Sequence, residues 1–224
     1  MNIVLKGIDK VFECSAGHVC SVIIENQDMF LDIISDIDSQ IQGNEGISVI
    51  SENNQIVKTD KYLEQITQFV PFDLNKKTLI NKIVANMQNI ALDESHLTQT
   101  NEVLAAWEKL CMDIEFELNA NIDFSKISAE TLIKSAGVTI ADDYDSLSEK
   151  ILDYFQMIEE FECKKMFVLV NMRSFVNDDE MQRFVDTVIM RNHQIILLDN
   201  VEHKLLNGEK RYIIDEDLCE ICYN

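Results

Sequence analysis

Proline and glycine are scarce in this sequence. One proline and six glycines occur among 224 residues, so few positions interrupt regular secondary structure. Apolar residues make up 46% of the chain and charged residues 26%, which is a composition typical of folded globular proteins. The length is enough for one large domain, or for one domain with a sizeable appendage. We therefore expect a folded chain with a real hydrophobic core.

Basic residues are also few. Nineteen lysines and arginines stand against 40 aspartates and glutamates, so the formal net charge is −21 at pH 7. Such a surface repels the phosphates of nucleic acids and attracts cations. A role with DNA would therefore require a locally basic surface or recruited metal ions.

Long apolar runs are missing. No run approaches the roughly 18 residues that a membrane-spanning helix needs. The apolar start of the chain is interrupted by Lys6, Asp9 and Lys10, and does not resemble a signal peptide. The six cysteines are scattered, as is usual for reduced, packed thiols. We therefore expect a cytoplasmic protein.

The apolar pattern predicts an α/β fold. A strand is predicted at 19–24, which is mainly β-branched and apolar. Two continuous apolar segments, 166–170 and 195–198, lack the alternation of a half-exposed strand, so both of their faces should be covered. This favours a parallel core. Shorter strands are predicted at 2–5, 11–14 and 47–50, an edge strand at 212–214, and a helix at 28–41.

The middle of the sequence is predicted to be helical. Helical spacing of apolar residues indicates one helix at 75–91, capped by Asp73, and another from Ser95 to residue 118. Ser128, Ser146 and Asn177 are predicted to cap three further helices. We assign residues 1–55 and 120–224 to an α/β head domain and residues 56–119 to an α-helical leg domain inserted into it.

The predicted strand–turn–helix unit at 19–41 has no phosphate-binding loop. A nucleoside triphosphatase would place a glycine-rich loop ending in lysine and serine or threonine there. The turn instead reads Glu25-Asn26-Gln27-Asp28, with two carboxylates and neither glycine nor lysine. No serine-hydrolase or zinc-protease motif occurs either. We therefore predict a nucleoside-triphosphatase-like (P-loop-like) head that lacks a phosphate loop and is not an enzyme.

Acidic residues cluster after the second long helix. Oxygen ligands that converge from a helix end and a loop are typical of calcium sites. The candidates for such a Ca²⁺ site are Asp113, Glu115, Glu117, Asp123 and Glu130. A solvated acidic face explains the same pattern equally well. A divergent metal-dependent nuclease assembled from scattered carboxylates also remains open.

Lysines are concentrated where the helical region begins. Only Asp60, Glu64 and Asp73 interrupt this stretch, which is the longest with a positive balance. Contacts to DNA phosphates are therefore assigned here, although a solvated helix face is the alternative. The assigned residues are Lys58, Lys61, Lys76, Lys77 and Lys82.

The second half of the chain resembles a known family. One matching segment reads Ile127-Ser-Ala-Glu-Thr-Leu-Ile-Lys-Ser-Ala-Gly137-Val138, a short helix that ends in lysine, two small residues and glycine. The capped helix at 146–163, the segments 164–171 and 174–180, the strand at 195–199 and the segment 212–217 complete the pattern. These motifs resemble the Csn2 family, the accessory spacer-acquisition proteins of type II-A CRISPR systems. The resemblance covers roughly residues 113–218.

The resemblance implies a function in antiviral defence. Members of that family form a ring-shaped homotetramer with a lysine-lined hole, which takes up double-stranded DNA ends without sequence preference. Calcium ions near the head–leg junction hold the ring in shape. The implied partners are the CRISPR integrase pair and the effector nuclease. An acidic protein–protein scaffold, or the nuclease mentioned above, is the alternative function.

The resemblance also implies a set of calcium ligands. By register these are Glu117, Asp123 and Glu130, together with Glu115. This chain departs from the family nearby, because Asn119, Asn121 and Ser125 stand where other members look more acidic. The number or affinity of the calcium ions could therefore differ.

Overall fold

A computed structural model describes residues 1–14, 17–118, 120 and 122–223, with the side chains of all of these except 222 and 223. The chain divides into two compact units, one of residues 1–72 and 143–224 and the other of residues 73–142. These boundaries differ from the predicted ones. Residues 56–72 join the α/β unit and residues 120–142 join the helical unit.

The α/β unit is built on a six-stranded sheet with the strand order β10-β9-β3-β8-β7-β6. Five strands are parallel and β10 is antiparallel to β9. The α/β class is therefore confirmed. The strands are β3 (Val19–Ile24), β6 (Leu63–Ile66), β7 (Met166–Val170), β8 (Gln194–Asp199), β9 (Glu209–Ile214) and β10 (Glu220–Tyr223).

The sheet is covered on both faces, which explains its continuous apolar strands. One face packs against α1 (Gln27–Ile41) and the first strands of the chain, with Ile33 and Ile37 fully buried. The other face carries α6 (Leu147–Phe161) and α7 (Asp178–Arg191). There the ring of Phe155 stacks on Phe167, with centroids 4.0 Å apart. Burying side chains of this size stabilises a fold by roughly 1.5–3 kcal/mol each.

A small antiparallel sheet completes this unit. Its order is β2-β1-β4-β5, formed by β1 (Asn2–Val4), β2 (Val11–Glu13), β4 (Val49–Glu52) and β5 (Gln55–Val57). Asn53 and Asn54 join β4 to β5 with φ angles of 51° and 61°. Asparagine tolerates such angles, which two-residue hairpin turns require. A strand was predicted at 47–50, close to β4, whereas β5 was missed because it has only three residues.

Two strand assignments need correction. The segment predicted as an edge strand at 212–214 belongs to β9, which lies inside the sheet, whereas β10 forms the edge. Strand β6 was not predicted because Glu64 lies in its middle. Tyr154 Oη donates a hydrogen bond to Glu64 Oε1 at 2.6 Å, and Lys164 forms an ion pair with Glu64 Oε2. These partners allow the carboxylate to be buried in the sheet.

Helix caps are largely as predicted. Ser128, Ser146 and Asn177 each accept a hydrogen bond from the backbone N–H three residues later. Asp73 and Ser95 were wrong as caps. The helical unit contains α3 (Lys77–Ala91), α4 (Leu97–Glu117) and α5 (Ala129–Ser135), and the cap positions of α3 and α4 are Lys76 and His96.

Asx turns explain why Asp73 and Ser95 do not cap these helices. Asp73 Oδ1 accepts from the N–H of Asn75 at 2.9 Å, and Asp93 Oδ1 accepts from the N–H of Ser95 at the same distance. Each aspartate thus stabilises the turn that precedes its helix. The remaining short helix, α2 (Thr59–Tyr62), lies in the α/β unit. In the described part of the chain, no helix combines the length and apolarity that crossing a membrane requires.

Candidate functional site

The connection between β3 and α1 lies where a nucleotide-binding fold would hold its phosphates. It consists of only two residues, Glu25 and Asn26. Asn26 Oδ1 accepts from the N–H of Met29 at 3.0 Å, and the N–H of Glu25 donates to Ile214 O at 2.9 Å. A phosphate loop takes about eight residues and directs several N–H groups at the ligand. This turn is too short for that geometry, in agreement with the prediction from its sequence.

The carboxyl ends of β7 and β8 are joined by Asn171. Its N–H donates to Leu198 O at 2.9 Å, and its side-chain Oδ1 accepts from the N–H of Asn200 at 3.1 Å. Asn171 adopts a left-handed backbone conformation with φ of 57°. Ligands of open α/β sheets bind at this edge. Here asparagine side chains close part of that edge instead.

Asp199 ends β8 and is only 1% exposed. Among the described residues, neither of its carboxylate oxygens has a hydrogen-bond partner. Burial raises the pKa of Asp199 to about 7. The positive charges of Arg173 and Arg211 lower this pKa, and the negative charge of Glu209 raises it. Asp199 was not among the predicted site residues, because a single acidic residue at a strand end is a weak signal in a sequence.

Asp199 lies beside a buried cluster of charges that the sequence analysis missed. The fully buried Glu209 side chain contacts Arg173 and Arg211, whose side chains are 2% and 3% exposed. The Arg173 Nη1–Glu209 Oε2 distance is 3.3 Å, and the Arg211 Nε–Glu209 Oε1 distance is 2.9 Å. The chain contains four arginines, so half of them are in this cluster. The charged segment Glu209-Lys210-Arg211, directly before three apolar residues of β9, was the available signal.

The cluster holds the crossover between β8 and β9. Residues 200–208 connect these two parallel strands, pass β3, which lies between them in the sheet, and form no helix. Parallel crossovers usually take a dozen or more residues and contain a helix. Backbone groups that a helix would pair internally need other partners here.

The cluster supplies those partners. Arg173 Nη2 donates to Lys204 O, and Arg211 Nη1 donates to His203 O at 2.7 Å. Glu209 Oε2 accepts from the N–H of Leu206 at 2.9 Å. Because the cluster is buried and its hydrogen bonds go to the crossover, it acts as a structural support.

The predicted calcium ligands are not brought together in the described residues. Glu115 and Glu117, two positions apart in the last turn of α4, point to different sides of the helix. Glu130 forms an ion pair with Lys134 at 2.6 Å. Asp123 lines a cavity of about 650 Å³ together with Trp107 and other residues of the helical unit.

The calcium site stays a prediction. Within the described ranges, no three acidic, histidine or cysteine side chains form a group that could hold a metal ion. Asn119 and Asn121, whose identities set this chain apart from the family, lie outside the described residues.

The predicted DNA contacts are spread over both units. Lys58 and Lys61 lie at α2 in the α/β unit, whereas Lys76, Lys77 and Lys82 lie at the start of α3 in the helical unit. All are exposed except Lys76, which is half-buried. The first turn of α3 carries no acidic residue. These side chains have the exposure that phosphate contacts require, and their assignment stays a prediction.

Helix α4 presents a stripe of exposed apolar side chains. All of its 21 residues are described, and none of them is buried. Val103, Trp107, Leu110 and Ile114 follow one another at spacings of four, three and four residues and are 51%, 45%, 50% and 51% exposed. This spacing places them on one face of the helix. Exposed apolar faces of this kind are found at surfaces that associate with other proteins, with membranes or with ligands.

Comparison with known proteins gives consistent matches. The sequence model of the family described as CRISPR-associated protein (Cas_Csn2) matches residues 40–218. The CRISPR-associated protein Csn2 of Enterococcus faecalis is 23% identical over 159 residues, which is 68% of each chain. The CRISPR-associated protein Csn2 of Streptococcus agalactiae is 22% identical over 179 residues, which is 80% of this chain and 79% of the relative.

Proposed function

Because the chain belongs to the Csn2 family of CRISPR-associated proteins, we propose that it binds the ends of double-stranded DNA during acquisition of new CRISPR spacers. The family predicted from residues 113–218 is thereby confirmed. The observation that carries the proposal is the family match, which extends over residues 40–218 and includes parts of both units. We further propose that the protein acts in the cytoplasm with the integrase pair and the effector nuclease.

We propose that binding involves no catalysis. The proposal of a nucleoside-triphosphatase-like head is supported by the parallel strands β3, β7 and β8 and by the helix that follows β3. The two-residue turn at Glu25 and Asn26 supports a scaffold that has lost its phosphate loop. Such a head supplies shape and assembly surfaces.

We propose that the binding species is a homotetrameric ring. The exposed stripe on α4 supports assembly, since a second copy of the chain would remove these side chains from water. A ring also accommodates the net charge of −21, because an acidic exterior can surround a lysine-lined hole. Lys58, Lys61, Lys76, Lys77 and Lys82 would line that hole, and Ca²⁺ bound at Glu115, Glu117, Asp123 and Glu130 would stabilise the ring.

A mobility-shift assay with linear and covalently closed circular DNA of the same sequence tests DNA binding. In the presence of Ca²⁺, the linear form should shift and the circular form should not, because a closed ring must be threaded by an end. No shift with either DNA would exclude DNA binding and favour an acidic protein scaffold. Cleavage of linear DNA with Mg²⁺ or Mn²⁺, lost on Asp123→Asn or Glu130→Gln, would show a nuclease instead.

The salt dependence of DNA affinity tests which lysines contact phosphates. Each phosphate contact contributes about 0.9 to the slope of log affinity against log salt concentration. The double variant Lys77→Ala/Lys82→Ala should therefore lower that slope by about 2. Lys109→Ala, an exposed lysine on α4 outside the assigned set, serves as the control and should leave the slope unchanged. Equal slopes for the two variants would refute the assignment.

Light scattering after size-exclusion chromatography tests the assembly. Trp107→Asp places a charge on the apolar stripe of α4 and should reduce the tetramer to smaller species. Met112→Asp is the matched control, because Met112 is 63% exposed but lies on the opposite side of the helix. A chelator should also lower the melting temperature of the tetramer, and an unchanged value would refute the calcium role.

A further inference from the structure

Five buried polar atoms near β3 and the helix-free crossover lack hydrogen-bond partners among the described residues. They are Ser21 Oγ, both carboxylate oxygens of Asp199, Arg173 Nε and Arg211 Nη2. The four residues are 0%, 1%, 6% and 5% exposed, respectively. Solvent outside the protein therefore cannot serve as the partner of these atoms.

Sheet register places these groups on one face. Ser21 lies opposite Arg211 on β9, and Ile23, two residues later on the same strand, lies opposite Asp199 on β8. Paired residues on neighbouring strands, and residues two apart on one strand, point to the same side of a sheet. Arg173 reaches this side as well, because it binds both Glu209 and the backbone of the crossover.

The hydrogen-bonding properties of the unpaired atoms indicate which kind of molecule can bind them. The arginine nitrogens are donors, the Asp199 oxygens are acceptors, and the serine hydroxyl can act as either. A metal cation would be repelled by two guanidinium groups, and an anion would be repelled by Asp199 and Glu209. A small neutral molecule that donates and accepts hydrogen bonds fits all of these atoms. Buried water in proteins typically makes about three such bonds to otherwise unpaired polar groups.

We propose that these side chains form an internal binding site for ordered water, which accepts hydrogen bonds from Arg173 and Arg211 and donates to Asp199 and Ser21. The crossover thus lies on a hydrated polar layer, where most parallel crossovers place an apolar helix against the sheet. This inference does not depend on DNA binding. Its test therefore separates cleanly from that of the proposed function.

A crystal structure of the full chain at about 1.5 Å resolution tests the occupant directly. We expect water oxygens within about 2.7–3.2 Å of at least one arginine nitrogen and one Asp199 oxygen. Direct contact between Asp199 and an arginine at that distance, with no water between, would overturn the proposal. Density for an ion in place of water would also overturn it.

Oxygen-17 magnetic relaxation dispersion, which counts long-lived internal water molecules in solution, provides a second test. Asp199→Leu and Ser21→Ala should each lower the count relative to the unmodified protein, whereas Asp199→Asn keeps polar atoms in place and should retain it. Ser148→Ala is the matched control, because the buried Ser148 hydroxyl already donates to Glu180 at 2.8 Å. Should Asp199→Leu fail to fold, Ser21→Ala alone decides. An unchanged count in every folded variant would refute the site.

Discussion

Replacing Glu209 by glutamine removes the negative charge from the centre of the buried arginine cluster. The carboxylate is fully buried and accepts hydrogen bonds from Arg211 at 2.9 Å and from Leu206 N–H at 2.9 Å, besides its contact with Arg173. Removing one partner of a buried ion pair costs about 3–5 kcal/mol, since the remaining charge is left uncompensated. In Glu209→Gln two guanidinium groups lose this partner. We therefore expect a loss of unfolding free energy at the upper end of that range.

A second carboxylate provides the matched control. Glu202 Oε1 lies 3.1 Å from the Nη1 atom of the same Arg211, but its side chain is 50% exposed. Exposed ion pairs contribute only about 0–1 kcal/mol, because water screens them. Glu202→Gln, the same chemical change on the same arginine, should therefore be nearly neutral.

Urea unfolding followed by circular dichroism measures the difference, with amide hydrogen exchange to assign it to the α/β unit. For a chain of this size, about 1 kcal/mol corresponds to a melting-temperature shift of about 2–4 °C, so a loss of about 5 kcal/mol should lower the melting temperature of Glu209→Gln by at least about 10 °C. Amide exchange in the crossover 200–208 should accelerate in this variant alone. Equal destabilisation by Glu202→Gln would refute the argument that burial sets the strength of these pairs.

Three other substitutions test the titration of Asp199 and the two ends of α7. Because burial raises the pKa of Asp199 from 3.8 to about 7, the folded protein binds its proton more tightly than the unfolded chain, and stability from this group falls as pH rises from about 4 to about 7, by up to about 4 kcal/mol. Asp199→Asn should remove that slope. The free energy of unfolding, measured in urea at several pH values in this window, should therefore differ between the variant and the unmodified protein by an amount that changes with pH. A constant difference would contradict the assignment. Asn177→Ala removes the hydrogen bond to the N–H of Glu180 at 3.0 Å and should lower the free energy of unfolding by about 1 kcal/mol in the same assay. Asn192→Gly, at the opposite end of α7 with φ of 59°, should leave it unchanged or slightly higher.

Local signals in the sequence were enough for much of the secondary structure. Strands β3 and β7 have the bounds that were predicted, because a buried parallel strand is a run of mainly apolar residues. The caps at Ser128, Ser146 and Asn177 involve only atoms three residues apart. Strand β6 was not predictable in this way, since Glu64 is accommodated by Tyr154 and Lys164, which are 90 and 100 residues away.

The functional features divide in the same way, into those set by local sequence and those set by contacts between residues far apart in the chain. The short turn at Glu25 and Asn26 and the motifs of residues 113–218 are local, so the sequence by itself determined the missing phosphate loop and the family. The support of the crossover depends on Arg173, Asp199, Glu209 and Arg211, which come from the two strands β8 and β9 and from the turn after β7. Only the tertiary structure decided that these charges are buried together, because strand order and register bring them onto one face of the sheet. Apolar periodicity reports which strands are buried, but it does not report which polar side chains meet between them.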